Sequence, residues 1–161
     1  MSARDFDSAF ARLFHDAYDV AFRILGDADD AEDAALDALT QAELRWTKIE
    51  SLPYRDVWVM RAAVSAAIAK FRTRRPSPLP HDDGNDDNTV LRAAVVDAVV
   101  RLRRRDRDVL ALRLIAGFGE ADVAACLGIS VKSVKRCLVR ALTNIRDRVG
   151  SESSGAAAVA S

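Results

Sequence analysis

Basic side chains near the carboxyl end of the 161-residue chain offer the clearest binding chemistry in the sequence. Residues 127–142, LGISVKSVKRCLVRAL, contain four cations and no acid. At 100° per residue of an α-helix, these cations fall on one face. The other face contains Val134, Leu138, Ala141, Leu142 and Ile145. A basic face of this kind binds nucleic-acid phosphates, and its donors can reach base edges in the major groove.

A short helix and a tight turn precede this basic helix. Val123, Ala124 and Leu127 are expected to face inward, Gly128 to take the turn conformation, and Ser130 to cap the next helix. This order predicts a helix-turn-helix, whose second helix enters the major groove. From these residues alone, an ordinary helical hairpin with a solvated basic face remains the alternative.

Other chemistry has little support in the sequence. His15 and His81 lack partners at zinc-ligand spacing, and neither belongs to an arrangement typical of a nucleophilic triad. The glycines are scattered rather than grouped in a phosphate-binding loop. Two cysteines, Cys126 and Cys137, are too few for a disulfide framework. We therefore expect no catalytic residue, no metal and no cofactor, and a protein that is not an enzyme.

The composition predicts an all-α fold. Half of the residues are apolar, but only 6% are aromatic, and many of the apolar residues are alanine. Such a composition favours closely packed helices over a sheet. No apolar run approaches the roughly 20 residues that a membrane span requires. Acids near the amino terminus are unlike the cations of a signal peptide, so we expect a soluble, cytoplasmic protein without membrane insertion.

The formal net charge of zero conceals alternating blocks of charge. Residues 1–50 carry a net −7, residues 51–75 a net +5, and residues 91–150 a net +7. Between the two basic blocks, residues 76–90 contain four Asp and no Lys or Arg. Solvation explains any single cluster, but this alternation favours separate surfaces for separate partners.

The chain divides into two predicted helical domains. Residues 1–75 form the first, 76–88 (PSPLPHDDGNDDN) a flexible acidic linker, 89–149 the second, and 150–161 a disordered tail. Helical periodicity predicts the inward-facing residues of the three helices in the first domain. They are Phe6, Phe10, Leu13, Phe14, Ala17, Ala21 and Leu25; Ala35, Leu36, Leu39 and Ala42; and Val57, Val64, Ile68 and Phe71.

Three stretches resemble bacterial sigma factors. DVAACLGISVKSVKRCLVRAL is similar to their second DNA-binding region, approximately E-I-A-x-x-L-G-I-S-x-x-T-V-K-S-R-L-x-R-A. DAED at 30–33 is similar to the acidic signature of their polymerase-binding region, and YRDVWVMRAAVSAAIAKFRTRR to their promoter-opening region. Their order and spacing resemble the two-domain extracytoplasmic-function group over residues 5–149.

The resemblance implies a sigma factor with a region-2-like three-helix bundle and a region-4-like helix-turn-helix domain. Its partners would be core RNA polymerase, promoter DNA and an anti-sigma factor. The implied polymerase-binding residues are Asp30, Glu32, Asp33 and Asp37. The implied DNA-binding residues are Arg61, Ser65, Arg72, Arg74 and Arg75 for the minus-ten element, and Lys132, Ser133, Lys135, Arg136 and Arg140 for the minus-thirty-five element.

Departures from the family pattern keep two alternatives open. Ser65 and Ala69 replace the Asn and Asp that are usual in the promoter-opening helix, which keeps open an adaptor that binds polymerase but has lost promoter recognition. A one-component helix-turn-helix regulator that acts without polymerase is the other alternative. Helix-dipole compensation also explains Asp30 and the cations at 72–75.

Overall fold

The fold is given by a computed structural model that describes residues 2–74 and 86–159. Over these ranges it is built from helices, so the predicted all-α class is confirmed. The helices are α1 (Ser2–Leu25), α2 (Ala28–Leu44), α3 (Trp46–Ile49), α4 (Arg55–Thr73), α5 (Asp86–Val100), α6 (Arg104–Leu110), a π-helical turn (Ala111–Ile115), α7 (Glu120–Leu127) and α8 (Val131–Val159). Within the described ranges, no helix combines the length and apolarity that crossing a bilayer requires.

Helices α1, α2 and α4 pack together as the three long helices of the first half. Helix α2 can approach its neighbours closely because its buried face is mostly alanine, with Ala31, Ala35 and Ala38 fully buried. Asp27 begins the helix, since its Oδ1 accepts a 2.9 Å hydrogen bond from the backbone N–H of Asp30. The prediction that Leu36 faces inward is wrong, because it lies 100° around the helix from Ala35 and is 42% exposed.

Helix α1 buries a face centred on Leu13, Ala17 and Ala21. Its aromatic residues lie along one edge of that face, four residues apart. Consecutive rings stack from Phe10 to Phe14 to Tyr18 to Phe22, with centroid separations of 6.0, 6.5 and 5.9 Å. Phe10, predicted to face inward, is 37% exposed because it lies on this edge and not at the centre of the buried face.

The second half contains the predicted helix-turn-helix. Gly128 ends α7 in the left-handed conformation, with φ of +65°. Ser130 caps α8, since its Oγ accepts a 3.1 Å hydrogen bond from the Ser133 backbone N–H. Val134, Cys137 and Ala141 are buried on the inner face of α8, which leaves its cations on the outer face.

Two ends of helices differ from the sequence prediction. Helix α5 begins at Asp86, inside the predicted linker. Helix α8 continues to Val159, through most of the predicted disordered tail. Arg75 and residues 76–85 of the predicted linker lie outside the described residues.

The described parts of the two halves share one apolar core, in which Val109, Leu112 and Val123 join residues of α1, α2 and α4. Polar contacts also cross between the halves. The Arg23 Nη1 donates a 2.7 Å hydrogen bond to the Ile115 carbonyl, and the Arg72 Nη2 donates a 3.1 Å hydrogen bond to the Val100 carbonyl. The halves that the sequence separates by a linker are therefore in direct contact in this structure.

Candidate DNA-binding and polymerase-binding surfaces

The amino-terminal part of α8 presents an accessible basic surface. Lys132, Lys135 and Arg136 are exposed, although Lys135 Nζ lies 3.8 Å from Glu120 Oε2. Ser133 is half-buried and takes part in the cap at Ser130 through both its backbone N–H and its hydroxyl. Four of the five residues predicted for the minus-thirty-five element therefore lie together at the start of one helix.

Arg140, the fifth, is held by an acid of α6. Its Nε donates a 2.7 Å hydrogen bond to Asp106 Oδ2, and its Nη2 donates a 2.6 Å hydrogen bond to Asp106 Oδ1. Asp106 is 1% exposed. The guanidinium of Arg140 holds the pKa of the Asp106 carboxyl below its ordinary value, and the carboxylate in turn raises the pKa of Arg140. Burial and the neighbouring Asp106 raise the pKa of the Cys137 thiol.

Of the residues predicted for the minus-ten element, the four that the structure describes do not form one free basic face. Arg61 Nε donates a 3.2 Å hydrogen bond to Asp108 Oδ2 of the second half, and Ser65 is half-buried. Arg72 is exposed but donates to the carbonyl of Val100. The side chains of Arg61 and Arg72 are therefore partly occupied by the second half of the same chain.

Arg74, also predicted for the minus-ten element, pairs within the first half. Its Nε donates a 2.7 Å hydrogen bond to Asp30 Oδ2, and its Nη1 donates a 2.9 Å hydrogen bond to the Leu25 carbonyl. Asp30, predicted to bind polymerase, is therefore occupied by the same pair. The pair ties the start of α2 to the end of α4.

The remaining acids of α2 form an outward-facing surface. Glu32, Asp33 and Asp37 are exposed. Asp33 Oδ2 lies 3.3 Å from Lys70 Nζ with its side chain 64% exposed, so this pair is a surface contact. Leu36 is exposed between these acids. An apolar side chain surrounded by acids is suited to a partner surface that is basic at its rim and apolar at its centre.

Helix α6 contains three buried charged residues that the sequence analysis did not single out: Asp106, Arg107 and Asp108. Burial raises the pKa of the Asp108 carboxyl, although the charge and hydrogen bond of Arg61 oppose this effect. Burial likewise lowers the pKa of Arg107. The two acids inside the run RRRDRD were the only sequence signal of this buried cluster, because acids within a DNA-binding basic surface would repel phosphates.

The structure thus presents two accessible charged surfaces, a basic one on α8 in the second half and an acidic one on α2 in the first half. The basic helix follows a turn whose Gly and Ser set its direction. In such a motif the early residues of the second helix meet base edges and phosphates. The geometry supports recognition of DNA by one half and of a basic protein surface by the other.

Comparison with known proteins agrees with this arrangement. Residues 92–145 match the family described as Sigma-70, region 4. The RNA polymerase sigma-E factor of Streptomyces avermitilis is 30% identical over 146 residues, which are 86% of this chain and 82% of the relative.

Two solved structures have a similar fold. The structure of CnrH in complex with the cytosolic domain of CnrY has a TM-score of 0.64 at 23% identity, covering 92% of this chain and 90% of that one. The sigma factor RpoE in complex with the anti-sigma factor NepR, from Bartonella quintana, has a TM-score of 0.61 at 18% identity, covering 91% and 98% of the two chains. The sequence resemblance is thus confirmed, and the chain belongs to the sigma factors of RNA polymerase, in the extracytoplasmic-function group.

Proposed function

We propose that this sigma factor joins core RNA polymerase through the acidic surface of α2 and directs it to promoters through two DNA-binding surfaces. The minus-thirty-five element would meet the start of α8, and the minus-ten element would meet α4. The protein performs no bond chemistry in this role, and it acts where the polymerase is, in the cytoplasm. The accessible basic start of α8 is the observation that carries the proposal.

Lys132, Lys135 and Arg136 support this role through their position as well as their charge. The buried residues Val134 and Cys137 lie on the opposite face and fix the orientation of the helix. The three cations are therefore presented to solvent as a group rather than distributed around the helix. Neutralisation of phosphates by such a group releases counterions, so promoter affinity should fall as salt is raised.

The minus-ten surface becomes available only when the two halves separate. Arg61 and Arg72 are partly occupied by Asp108 and the Val100 carbonyl of the second half. In our proposal the polymerase binds the separated form, and this frees both arginines for the promoter strand. An anti-sigma factor, as in the RpoE–NepR complex, is the partner we propose for the opposite outcome, in which the protein is kept from polymerase.

Charge reversal on α8 tests promoter recognition. Lys135→Glu with Arg136→Glu should abolish promoter-specific transcription by the reconstituted holoenzyme and leave co-elution with core polymerase unchanged. Arg146→Glu with Arg148→Glu is the matched control, because both residues are exposed cations further along α8. If the first pair of changes leaves transcription intact, the recognition surface is assigned incorrectly.

Charge reversal on α2 tests polymerase binding. Asp33→Arg with Asp37→Arg should weaken the complex with core polymerase, measured by co-elution and by fluorescence titration. Asp5→Arg with Asp7→Arg reverses two exposed acids of α1 and serves as the control. A complex that is equally stable with both pairs of changes would contradict the α2 assignment.

The same reconstituted system separates the alternatives. An adaptor that has lost promoter recognition would bind core polymerase and support no promoter-specific transcript. A one-component regulator would bind an operator alone and would not co-elute with polymerase. Only a sigma factor produces both the complex and the specific transcript.

A further inference from the structure

Asp106 is the most completely buried carboxylate that contacts the predicted recognition helix. It lies on α6, is 1% exposed, and accepts two hydrogen bonds of 2.7 and 2.6 Å from one edge of the Arg140 guanidinium. The Arg140 side chain remains 47% exposed. Within this pair, Asp106 is shielded from solvent, whereas the Arg140 side chain remains accessible.

The hydrogen bonds use only part of the guanidinium. Nε and Nη2 face Asp106, and Nη2 also lies 3.5 Å from the Cys137 sulfur. Nη1 has no hydrogen-bond partner among the described residues. An arginine has five N–H donors in a rigid planar fork, so fixing one edge also fixes the direction of the donors that remain.

We propose that Asp106 is a positioning residue for promoter recognition, which fixes the Arg140 guanidinium so that its free donors face the DNA in one orientation. The inference rests on the proposed function of α8 and adds to it a residue of another helix that touches no DNA. Arg140 follows Arg136 by four residues, about one helical turn, so its guanidinium extends the same row of cations.

The charge of Asp106 also decides what Arg140 contributes. An unpaired arginine attracts any duplex, because the attraction depends on phosphate charge and carries no sequence information. Arg140 is compensated by a carboxylate at hydrogen-bond distance, so its long-range attraction for phosphates is reduced. What remains is directional hydrogen bonding, which distinguishes one DNA sequence from another. Asp106 thus lowers the affinity for DNA of any sequence and raises the selectivity for the recognised sequence.

Asp106→Asn tests the proposal because selectivity and general affinity should move in opposite directions. The wild-type holoenzyme first selects duplexes from a library randomised over the promoter region, and the best of them becomes the cognate probe. A scrambled duplex of the same composition is the second probe. Asp106→Asn should weaken cognate binding by about tenfold, within the range for one lost directional contact, and leave scrambled binding unchanged or tighter.

Two further variants show that Asp106 acts through Arg140. In an Arg140→Gln background, Asp106→Asn should cause no further loss of the ratio of cognate to scrambled affinity. Arg140→Lys keeps the charge without the fork, so it should preserve scrambled binding and lose the ratio. If Asp106→Asn does not fold, as judged by circular dichroism, Arg140→Lys alone decides the question.

Two matched controls distinguish a positioning role of Asp106 from a general effect of removing an acid and from a loss of protein stability. Asp147→Asn also removes an acid of the same domain, but its carboxylate pairs loosely with Arg146 at 3.7 Å, so both probes should bind slightly tighter and the ratio should not change. Val123→Ala removes a fully buried side chain of α7 and should lower the melting temperature without changing the ratio below it.

The outcomes are distinct. An unchanged ratio in Asp106→Asn and Arg140→Lys, with normal selection by the wild-type holoenzyme, overturns the positioning role and leaves the proposed function standing. Equal losses on both probes also overturn it, because they indicate a structural role alone. A wild-type holoenzyme that selects no sequence overturns the proposed function itself, and the positioning role with it.

Discussion

Removing Arg61 should destabilise the folded protein by about 2 kcal/mol at pH 7, because it leaves a buried carboxylate without its ion-pair partner. Arg61 Nε lies 3.2 Å from Asp108 Oδ2, and the Arg61 and Asp108 side chains are 33% and 2% exposed. Arg61→Met is the suitable change, since it keeps most of the aliphatic stem and removes the charge.

The magnitude follows from the unequal exposure of the two partners. Deleting one member of a fully buried pair costs about 3–5 kcal/mol, whereas exposed pairs contribute about 0–1 kcal/mol. Asp108 resembles the first case and Arg61 lies between the two. A loss of about 2 kcal/mol corresponds to a fall of roughly 4–8 °C in melting temperature for a chain of this size. Arg107, whose charge also stabilises the Asp108 carboxylate, limits the loss.

The stability lost in Arg61→Met should depend on pH. Burial raises the folded-state pKa of Asp108, so this group favours folding most when it is protonated, and that contribution is lost as pH rises through the folded pKa. Arg61 opposes the loss by stabilising the carboxylate. Its contribution is therefore absent below the pKa of Asp108 and fully present above it. The difference between wild type and Arg61→Met should shrink as the solution is acidified.

Urea unfolding measures the coupling free energy between Arg61 and Asp108 in a double-mutant cycle of Arg61→Met and Asp108→Asn. The cycle is run at pH 7 and at about pH 4, close to the ordinary pKa of an Asp. The pair formed by Arg12 and Asp56 is the control, because its 2.8 Å contact is shorter but its side chains are 50% and 38% exposed. Its coupling should stay below about 1 kcal/mol. A coupling between Arg61 and Asp108 that is no larger than the control, or that persists undiminished in acid, would refute the reasoning.

Three further predictions concern closure, the turn and acid stability. Arg23→Gln removes the hydrogen bond to the Ile115 carbonyl and should tighten core-polymerase binding about fivefold in a fluorescence titration, because closure loses about 1 kcal/mol; unchanged affinity would contradict this. Gly128→Ala should lower the melting temperature, since its φ of +65° costs a residue with a Cβ about 1 kcal/mol, whereas Gly150→Ala inside α8 should raise it. Asp56 has a pKa held below its ordinary value by a neighbouring guanidinium, so the stability it contributes above the unfolded-state pKa is lost as pH falls through the folded pKa; Asp56→Asn should flatten the acid limb of the stability curve.

The features that the sequence predicted correctly are those set by local geometry. Gly128 and Ser130 define the turn because only a glycine adopts a positive φ easily and a serine caps a helix over three residues. Lys132, Lys135 and Arg136 are exposed because they lie on the side of the helix opposite its buried apolar stripe. Each of these inferences concerns residues within one or two helical turns of each other.

The features that the sequence did not predict depend on distant partners. Arg61, Arg74 and Arg140 look alike in the sequence, and each was predicted to bind DNA. In the structure they pair with acids separated from them by 47, 44 and 34 residues, respectively. No periodicity identifies such partners, because the choice among several nearby acids is made by tertiary packing. The pattern therefore locates basic surfaces better than it distinguishes free cations from paired ones.

The contacts between the halves connect stability to function. In the proposed function, moving apart to reach two promoter elements breaks the pair of Arg61 with Asp108 and the hydrogen bond from Arg72 to the Val100 carbonyl, and it also exposes apolar residues of the core that the two halves share. For every 1.4 kcal/mol or so that favours closure, the open fraction of free molecules falls about tenfold, and the apparent affinity for promoter DNA falls by the same factor. A polymerase that binds only the open form supplies this energy through its own contacts. The arginines are then freed on the enzyme rather than in solution, and promoter binding is tied to assembly of the holoenzyme.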